Sequence, residues 1–379
     1  MVGIVQEQHA DRARLFMQWK QMGWPILVDS LNLLEVPYVP ITLLIDEHGI
    51  VRAIEPKDPA SVEAELVARE FETPADLADP EAPVALDALR RAADEGGGPT
   101  AWEALGDALF GRAGDDGLDD AIAAYERAIL LEPGRDTSHF RLGVALRGRY
   151  DAHSGRSEDF QSAVDAWSAA LEIDPNNYIY RRRIQQYGPR LDKPYPFYDW
   201  VSEARRETEA RGETPVALRV EPTGAELAQT LRSLSSIRDT SATDPDPEGR
   251  ILLDEGGYVD VETTVVTASL APGSAVRVHV VFRPRESGGA YWNNEVDGLA
   301  VWLDPPEGWT VDRKLLTVDN PPEPVSREAR RVEFELRAPE KAPGDSATLP
   351  AHALYYVCEG TRGACLYRRR DFTVRIRLR

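Results

Sequence analysis

Residues 38–51 read Tyr38-Val39-Pro40-Ile41-Thr42-Leu43-Leu44-Ile45-Asp46-Glu47-His48-Gly49-Ile50-Val51. Segment 41–45 of this stretch is largely apolar and β-branched, which is typical of a strand. Asp46 to Gly49 predicts a tight turn, with glycine where a positive φ is needed. Segment 50–54 then predicts the returning strand of a hairpin.

The residues around this hairpin predict the other elements of a small α/β domain. They are a strand at 2–5, a helix at 11–22 and a short, buried strand or extended stretch at 25–29. Asp58 and Pro59 predict the cap and first turn of a second helix, because a proline there leaves no N–H unpaired. Glu63 and Glu65 lie near the start of that helix, where its dipole favours negative charge.

The proline, the strand, the Asp-x-x-Gly turn and the second strand together resemble redoxins and ResA-like thiol-disulfide oxidoreductases, over roughly residues 2–72. The resemblance implies a thioredoxin-like fold in which Val39, Pro40 and Ile41 form a cis-proline loop that binds substrate. It also implies a reactive cysteine ahead of the strand at 2–5, where a helix N-terminus stabilises the thiolate. No cysteine precedes Cys358, so only a partial thioredoxin-like domain is indicated.

Two explanations of the missing nucleophile stay open. Either the domain is a degenerate scaffold, or its catalytic motif is encoded upstream of Met1. Some ResA-like redoxins resemble this layout and carry a selenocysteine in a W-A-x-x-U-G-x-x-C motif, whose codon is read as a stop. We expect the second explanation, which makes the chain a selenoprotein candidate, because a domain rarely omits its first strand and helix.

An internal repeat occupies about residues 99–200. Its two copies read Trp102, Leu105, Gly106, Ala121, Tyr125, Ala128, Pro133 and Phe140, Leu142, Gly143, Ala163, Trp167, Ala170, Pro175. The pattern resembles the tetratricopeptide repeat (TPR), in which small residues let two helices approach and an aromatic ring fills the gap. Extra residues at 111–119 and 149–158 predict longer turns. A third helix at 178–186 would cap the stack, and so small a stack is expected to pack on a neighbouring domain.

The chain as a whole predicts a multidomain α+β protein. The predicted parts are a partial thioredoxin-like (redoxin) domain at 1–72, a linker at 73–98 with a short helix near 84–93, a TPR-like helical domain at 99–200, a helix at 223–235 and an acidic linker within 201–249, and an Ig-like β-sandwich at 250–379. The sandwich is indicated by strand patterns at 258–270, 275–282, 299–303, 332–336, 352–357 and 372–378.

The two cysteines of the chain, Cys358 and Cys365, flank a short loop that contains two glycines. A disulfide across such a hairpin is sterically possible. The region resembles the N-terminal periplasmic domain of the thiol:disulfide interchange protein DsbD, over about residues 250–379, which implies that the pair is catalytic. Arg362 and the run 368–370 would lower a thiol pKa if they lie close. A purely structural disulfide, or a reduced pair that only packs, remains an open alternative.

Composition and motifs exclude several classes of function. The net charge of −20 would repel nucleic acid and anionic membrane surfaces. No apolar run is long enough to span a membrane. The six histidines are scattered without metal-ligand spacing, and nucleotide-binding and serine-hydrolase motifs are absent, so no metal and no cofactor are predicted. The compartment stays open: cytoplasmic as the sequence stands, or the cell envelope if a leader precedes it.

The leading hypothesis is a thiol-disulfide oxidoreductase that exchanges with protein thiols or disulfides, or with a thiol reductant. Its candidate redox pair is Cys358 and Cys365, and its candidate substrate loop is Val39, Pro40 and Ile41. The TPR-like helices would bind a protein partner. The alternative is a non-enzymatic scaffold or protein-interaction module with a degenerate thioredoxin domain.

Overall fold

The computed structural model describes residues 2–58, 60, 62, 64, 66, 68–72, 85–112, 115–152, 156–189, 200–220, 242–341, 344–360 and 363–379. The helix predicted at 223–235 and the residues Pro59, Glu63, Glu65 and Arg362 lie outside this part of the chain. Within it, eight helices and fourteen strands confirm the mixed α+β prediction. None of the described helices is both long and apolar enough to cross a membrane.

The helices are α1 Ala10–Lys20, α2 Leu86–Asp94, α3 Gly98–Gly111, α4 Asp115–Leu131, α5 Asp136–Asp151, α6 Asp159–Ile173, α7 Tyr178–Gln185 and α8 Trp200–Ala210. The strands are β1 Gly3–Val5, β2 Ile26–Val28, β3 Leu43–Ile45, β4 Val51–Ile54, β5 Val259–Val266, β6 Ala275–Pro284, β7 Ala290–Asn293, β8 Leu299–Leu303, β9 Thr310–Val311, β10 Leu315–Val318, β11 Val325–Ser326, β12 Arg330–Arg337, β13 Ser346–Glu359 and β14 Cys365–Arg377.

The chain divides into two compact units. Unit 1 comprises Met1–Gln8, Trp24–His153 and Ala169–Arg181, and unit 2 comprises His9–Gly23, Ser154–Ser168 and Arg182–Arg379. Each unit takes segments from several of the predicted domains, so the domain boundaries remain a prediction.

The strands of unit 1 form two separate pairs, with β1 parallel to β2 and β3 antiparallel to β4. Asp46 builds the predicted turn, because its Oδ1 accepts the N–H groups of His48 and Ile50, both at 2.9 Å, and Gly49 has φ of 79°. The prediction that β2 is buried is wrong, since Leu27 is 56% exposed. Among the described strands β2 pairs only with β1, so it lies in a two-stranded sheet rather than at the centre of a larger one.

The helices α3 and α4 of unit 1 approach closely at one glycine. A Cβ placed on Gly106 would lie 2.6 Å from Cε1 of Tyr125, so only glycine lets the fully buried ring pack there. The longer turn predicted at 111–119 is wrong, because α3 ends at Gly111 and α4 already begins at Asp115. Leu118 is buried, and its packing favours an additional helical turn over a loop.

A buried ion network joins α3 to the start of α5 in unit 1. The carboxylate of Glu103 accepts hydrogen bonds from Arg135 at 2.8 and 3.0 Å, from Arg141 at 2.9 Å and from Thr137 at 2.8 Å. Burial alone would raise the pKa of Glu103. The hydrogen bonds from Arg135 and Ser138, with the nearby charge of Arg141, outweigh burial and hold the pKa below its ordinary value.

Unit 2 contains a small helical core and a large β core. Leu15 and Trp19 of α1 pack against Val201 and Ala204 of α8, and Trp19 Nε1 donates to Glu207 at 2.7 Å. One sheet has the order β10-β8-β13-β7-β11 with β14 on β13, and the other has the order β5-β6-β12-β9. Alternate side chains of both sheets, such as Phe334 and Trp292, form one buried apolar cluster.

We expect Gly106→Ala to lower the free energy of unfolding by about 1–3 kcal/mol, because the new methyl group overlaps the Tyr125 ring. Gly111→Ala is the matched control in the same helix, since no atom lies within 4 Å of its Cβ position. Urea unfolding followed by far-UV circular dichroism measures both. A neutral or stabilising effect at position 106 would show that the ring does not need the glycine.

We expect Glu103→Gln to lower the free energy of unfolding by about 3 kcal/mol at neutral pH, because it leaves the buried Arg141 without a full countercharge. The pKa of Glu103 is lowered by folding. Its stabilising contribution is therefore present above the unfolded pKa of about 4.3 and is lost as the pH falls through the folded value. The difference between variant and wild type should shrink on acidification.

The control for this variant is Glu132→Gln, which removes a half-exposed carboxylate 3.6 Å from the same Arg135. Its effect should stay within about 1 kcal/mol, since exposed ion pairs contribute little. Equal effects of the two variants at neutral pH, measured by urea unfolding, would contradict a special role for burial at Glu103.

Candidate functional site: the cysteine hairpin

The candidate site lies at one end of the long β13–β14 hairpin in unit 2. The two strands pair antiparallel from Ser346 opposite Arg377 to Cys358 opposite Cys365. Successive residues of a strand point to opposite faces of the sheet. Leu349, Tyr355 and Val357 belong to the apolar core, so Cys358 points to the other face.

Cys358 and Cys365 are joined by a disulfide, with their Cα atoms 3.9 Å apart. Cys358 is 1% exposed because its strand is flanked by β14 on one side and by Tyr291 of β7 on the other. Cys365 begins the outer strand β14 and is exposed. The structure thus brings the two predicted residues together and makes them unequal in accessibility.

Glycines shape the turn that connects the two cysteines. Gly360 has φ of 56° and its N–H donates to the carbonyl oxygen of Gly289 at 3.2 Å. A Cβ on Gly363 would overlap the carbonyl oxygen of Glu359, so no larger residue fits this backbone. These contacts fix the conformation of the turn that closes the hairpin beside the disulfide.

Two stacked tyrosines adjoin the disulfide on the same face of the sheet. Tyr356 lies two residues before Cys358 and Tyr367 two residues after Cys365, and their ring centroids are 4.3 Å apart. Burial and the neighbouring Tyr356 raise the pKa of Tyr367, so its hydroxyl stays protonated at neutral pH. Sequence reasoning missed these residues, although their mirrored spacing about the cysteines places them on one face.

The arginines near the cysteines are committed to carboxylates or directed elsewhere. Arg369 shares the parity of Cys365, but it donates to Asp246 Oδ2 at 2.9 Å and to Asp371 Oδ1 at 2.7 Å. Arg368 and Arg370 have the opposite parity in β14 and so point to the opposite face. The prediction that this run activates a thiol therefore gains no support from the described contacts.

The acidic run 244–248, predicted as a linker, is folded onto this hairpin. Asp246 is 5% exposed and accepts the N–H of Arg250 at 2.8 Å as well as the guanidinium of Arg369. Burial alone would raise the pKa of Asp246, but Arg369 and the two turn amides lower it below its ordinary value. The basic partner on β14 therefore holds this part of the predicted linker in place.

The predicted substrate loop lies in unit 1, whereas both cysteines lie in unit 2. The Val39–Pro40 peptide bond is cis. Val39 is 45% exposed, Pro40 is exposed, and Ile41 is partly buried two residues before the start of β3. The carbonyl oxygen of Pro37 accepts the N–H of Tyr178 at 2.8 Å, which anchors the residues before the loop to the start of α7.

Within the residues that the structure describes, no group of three or more histidine, cysteine, aspartate or glutamate residues is arranged to hold a metal ion.

Comparison with protein-family models and with curated proteins finds no match. Among solved structures, MamA shares 19% identity at a TM-score of 0.22, over 34% of this chain and 57% of the MamA chain. The chain thus spans little more than half of MamA. The yeast GGA1 GAE domain shares 13% identity at a TM-score of 0.21, over 32% of this chain and 96% of that domain. Likenesses this low define neither a fold nor a function for this chain.

We expect the thiols of the two single-cysteine variants to differ in reactivity. In Cys358→Ser the remaining Cys365 is exposed and should react with a maleimide reagent about tenfold faster than Cys358 does in Cys365→Ser. Mass spectrometry of the native proteins over time measures both rates. The same variants in denaturant are the control and should react equally. Equal native rates would contradict the asymmetry.

Proposed function

We propose that this chain is a thiol-disulfide oxidoreductase whose redox pair is Cys358 and Cys365. The observation that carries the proposal is the unequal exposure of the two residues within one disulfide. A thiolate can attack only a sulfur that it can reach, and attack at one sulfur releases the other. Exposure at Cys365 and burial at Cys358 therefore assign distinct roles to the two residues.

In the proposed exchange, a substrate thiolate attacks Sγ of Cys365. A bond forms between the two sulfurs, the bond to Cys358 breaks, and Cys358 leaves as a thiolate that takes up a proton. The second thiolate of the substrate then attacks the substrate sulfur of this mixed disulfide, and Cys365 is released as a thiolate. The substrate dithiol is oxidised by two electrons and the hairpin pair is reduced by two. The reverse sequence reduces a substrate disulfide.

The hairpin supports this chemistry by keeping the cysteines adjacent when they are reduced. Thirteen residue pairs fix the register of β13 and β14, and Cys358 opposite Cys365 is the last of these. When a substrate disulfide is reduced, the buried Cys358 thiol would remain beside the mixed disulfide on Cys365. It would then attack Cys365 intramolecularly and release the substrate. Such proximity accelerates the second step relative to an exchange between separate molecules.

The finer fold assignments belong to the same proposal. Residues 2–72 would be a redoxin-like domain with Val39, Pro40 and Ile41 as its substrate loop. The close contact between Gly106 and Tyr125 is what the TPR pattern requires, and it supports the assignment of α3 and α4 to a repeat. The shared core of the two sheets supports an Ig-like sandwich related to the N-terminal domain of DsbD.

Exchange is tested by trapping the mixed disulfide. Cys358→Ser lacks the resolving thiol, so its exposed Cys365 should accumulate a mixed disulfide with glutathione disulfide or with the intact disulfides of native insulin. Non-reducing electrophoresis and mass spectrometry detect the adduct. Cys365→Ser is the matched control and should form much less of it, because its thiol is buried.

The wild-type protein provides the second half of the test. Its native disulfide should be reduced by dithiothreitol without unfolding and should reoxidise with concomitant reduction of added glutathione disulfide. A disulfide that resists dithiothreitol until the chain unfolds would be structural and would overturn the proposal. That result would leave the alternative, a partner-binding chain without redox activity.

A further inference from the structure

Unit 1 contains a cavity of 230 Å³ that the redox proposal does not use. It lies between loop 31–37, the first turns of α5, and the segment that leads into α7. Glu35 and Pro37 of the loop are exposed, so the cavity opens to the surface. Its volume is below the roughly 300–1,000 Å³ of ordinary small-molecule pockets and suits a single side chain.

The lining of the cavity carries an excess of negative charge. Glu35, Asp136 and Asp174 line it together with one cation, Arg141. That guanidinium is already engaged, since it donates to Glu103 at 2.9 Å, to Asp107 at 3.0 Å and to Glu35 at 3.2 Å. In the described part of the chain, neither Asp136 nor Asp174 has a cationic partner.

Hydrogen bonds hold the carboxylates of Asp136 and Asp174, which have no cationic partner in the described part of the chain, at the cavity wall. Asp136 Oδ2 accepts the hydroxyl of Tyr180 at 2.9 Å, and Asp174 Oδ1 accepts the N–H of Asn176 at 3.2 Å. Burial and the charge of Asp136 raise the pKa of Tyr180, so this hydroxyl remains a donor. The Tyr180 ring stacks on Phe140 with centroids 4.7 Å apart, which makes the adjoining wall apolar.

A buried polar group with an open donor points independently to a ligand. Asn177 lines the cavity and is 7% exposed. Its Oδ1 caps α7 by accepting the N–H groups of Ile179 at 3.1 Å and Tyr180 at 3.4 Å. This cap fixes the amide plane, and Nδ2 has no acceptor in the described part of the chain. Because Asn177 lines the cavity, a ligand bound there can accept a hydrogen bond from this donor.

Exposed apolar residues adjoin the lining residues of the cavity in sequence. Leu33 and Leu34 belong to the lining loop, and Tyr38 follows Pro37 directly; all three are about half exposed. The amides of Leu33 and Leu34 are held by Asp29 at 2.9 and 3.4 Å, so the loop is ordered by its own hydrogen bonds. Exposed apolar residues next to a polar pocket are typical of a protein-binding surface.

We propose that this cavity binds an arginine side chain of a partner protein segment, with Asn177 Nδ2 donating to a backbone carbonyl of that segment. The guanidinium would be held by Asp136, Asp174 and Glu35. Apolar residues beside the arginine would pack on Leu33, Leu34 and Tyr38. Arginine fits better than lysine because its five donors can satisfy several carboxylates at once and it is less strongly hydrated. This interaction is independent of the cysteine pair.

The test uses the full chain and a set of capped, fluorescent pentapeptides with leucine on either side of a varied central residue. The peptide with central arginine should bind about tenfold more tightly than that with glutamine, and the peptide with glutamate should bind least. Fluorescence anisotropy at two salt concentrations measures the affinities, and the preference for arginine should weaken at the higher concentration. Equal binding of the arginine and glutamine peptides would overturn the proposal.

Variants locate the binding in the cavity. Asp136→Asn with Asp174→Asn preserves shape and should reduce the affinity for the arginine peptide about tenfold. The matched control is Asp87→Asn with Glu126→Gln, which removes two exposed charges from unit 1 outside the cavity and should change the affinity little. Equal losses in the two double variants would mean that only overall charge matters and would contradict the assignment.

The variant Asn177→Ser tests the amide donor Nδ2 separately from the capping of α7. Serine still caps a helix but lacks the open amide donor. It should weaken all the peptides by a similar factor, because the backbone carbonyl is common to them. An unchanged affinity would remove Asn177 from the site. Binding of Mg²⁺ or Ca²⁺ that displaces the peptide and is lost in Asp136→Asn with Asp174→Asn would assign the cavity to a metal ion and overturn the proposal.

Discussion

The two-residue period of β13 is the constraint on which the β unit depends. This strand of fourteen residues pairs with β14 along its length and with β8 and β7 on its other side. One set of alternate side chains, from Leu349 to Val357, fills the core. The other set, which ends in Tyr356 and Cys358, is thereby directed to the opposite face. Packing in the core thus fixes the face of the sheet on which the candidate redox pair lies.

Local patterns in the sequence predicted much of this architecture. The strand at 299–303 is correct to the residue, and those near 275–282 and 332–336 differ by two residues or fewer at each end, because alternating apolar residues mark them directly. The turn at Asp46 and Gly49 follows equally from local chemistry. The start of α4 was mispredicted, because its additional turn is stabilised by the burial of Leu118, which depends on tertiary packing.

The functional features that escaped the sequence depend on residues far apart in the chain. Which cysteine is exposed depends on which strand lies at the outside of the sheet, and Tyr291 of β7 contributes to covering Cys358. The acidic cavity joins residues near positions 35, 136 and 174, none of which forms a motif by itself. The local sequence around Asp246 indicates a linker, because the partner that buries it, Arg369, lies more than one hundred residues away.

The carboxylate of Glu103 also restricts how this sequence can diverge. It serves two guanidinium groups at once, Arg135 and Arg141, and the second of these also holds Glu35 and the carbonyl oxygen of Leu31. Loss of the Glu103 carboxylate alone would leave buried positive charge without a countercharge. Loss of Arg141 alone would remove the contacts to Glu35 and Leu31, and loss of Arg135 alone would remove the ion pair before α5. Positions 103, 135 and 141 are therefore expected to covary among homologues, changing together or not at all.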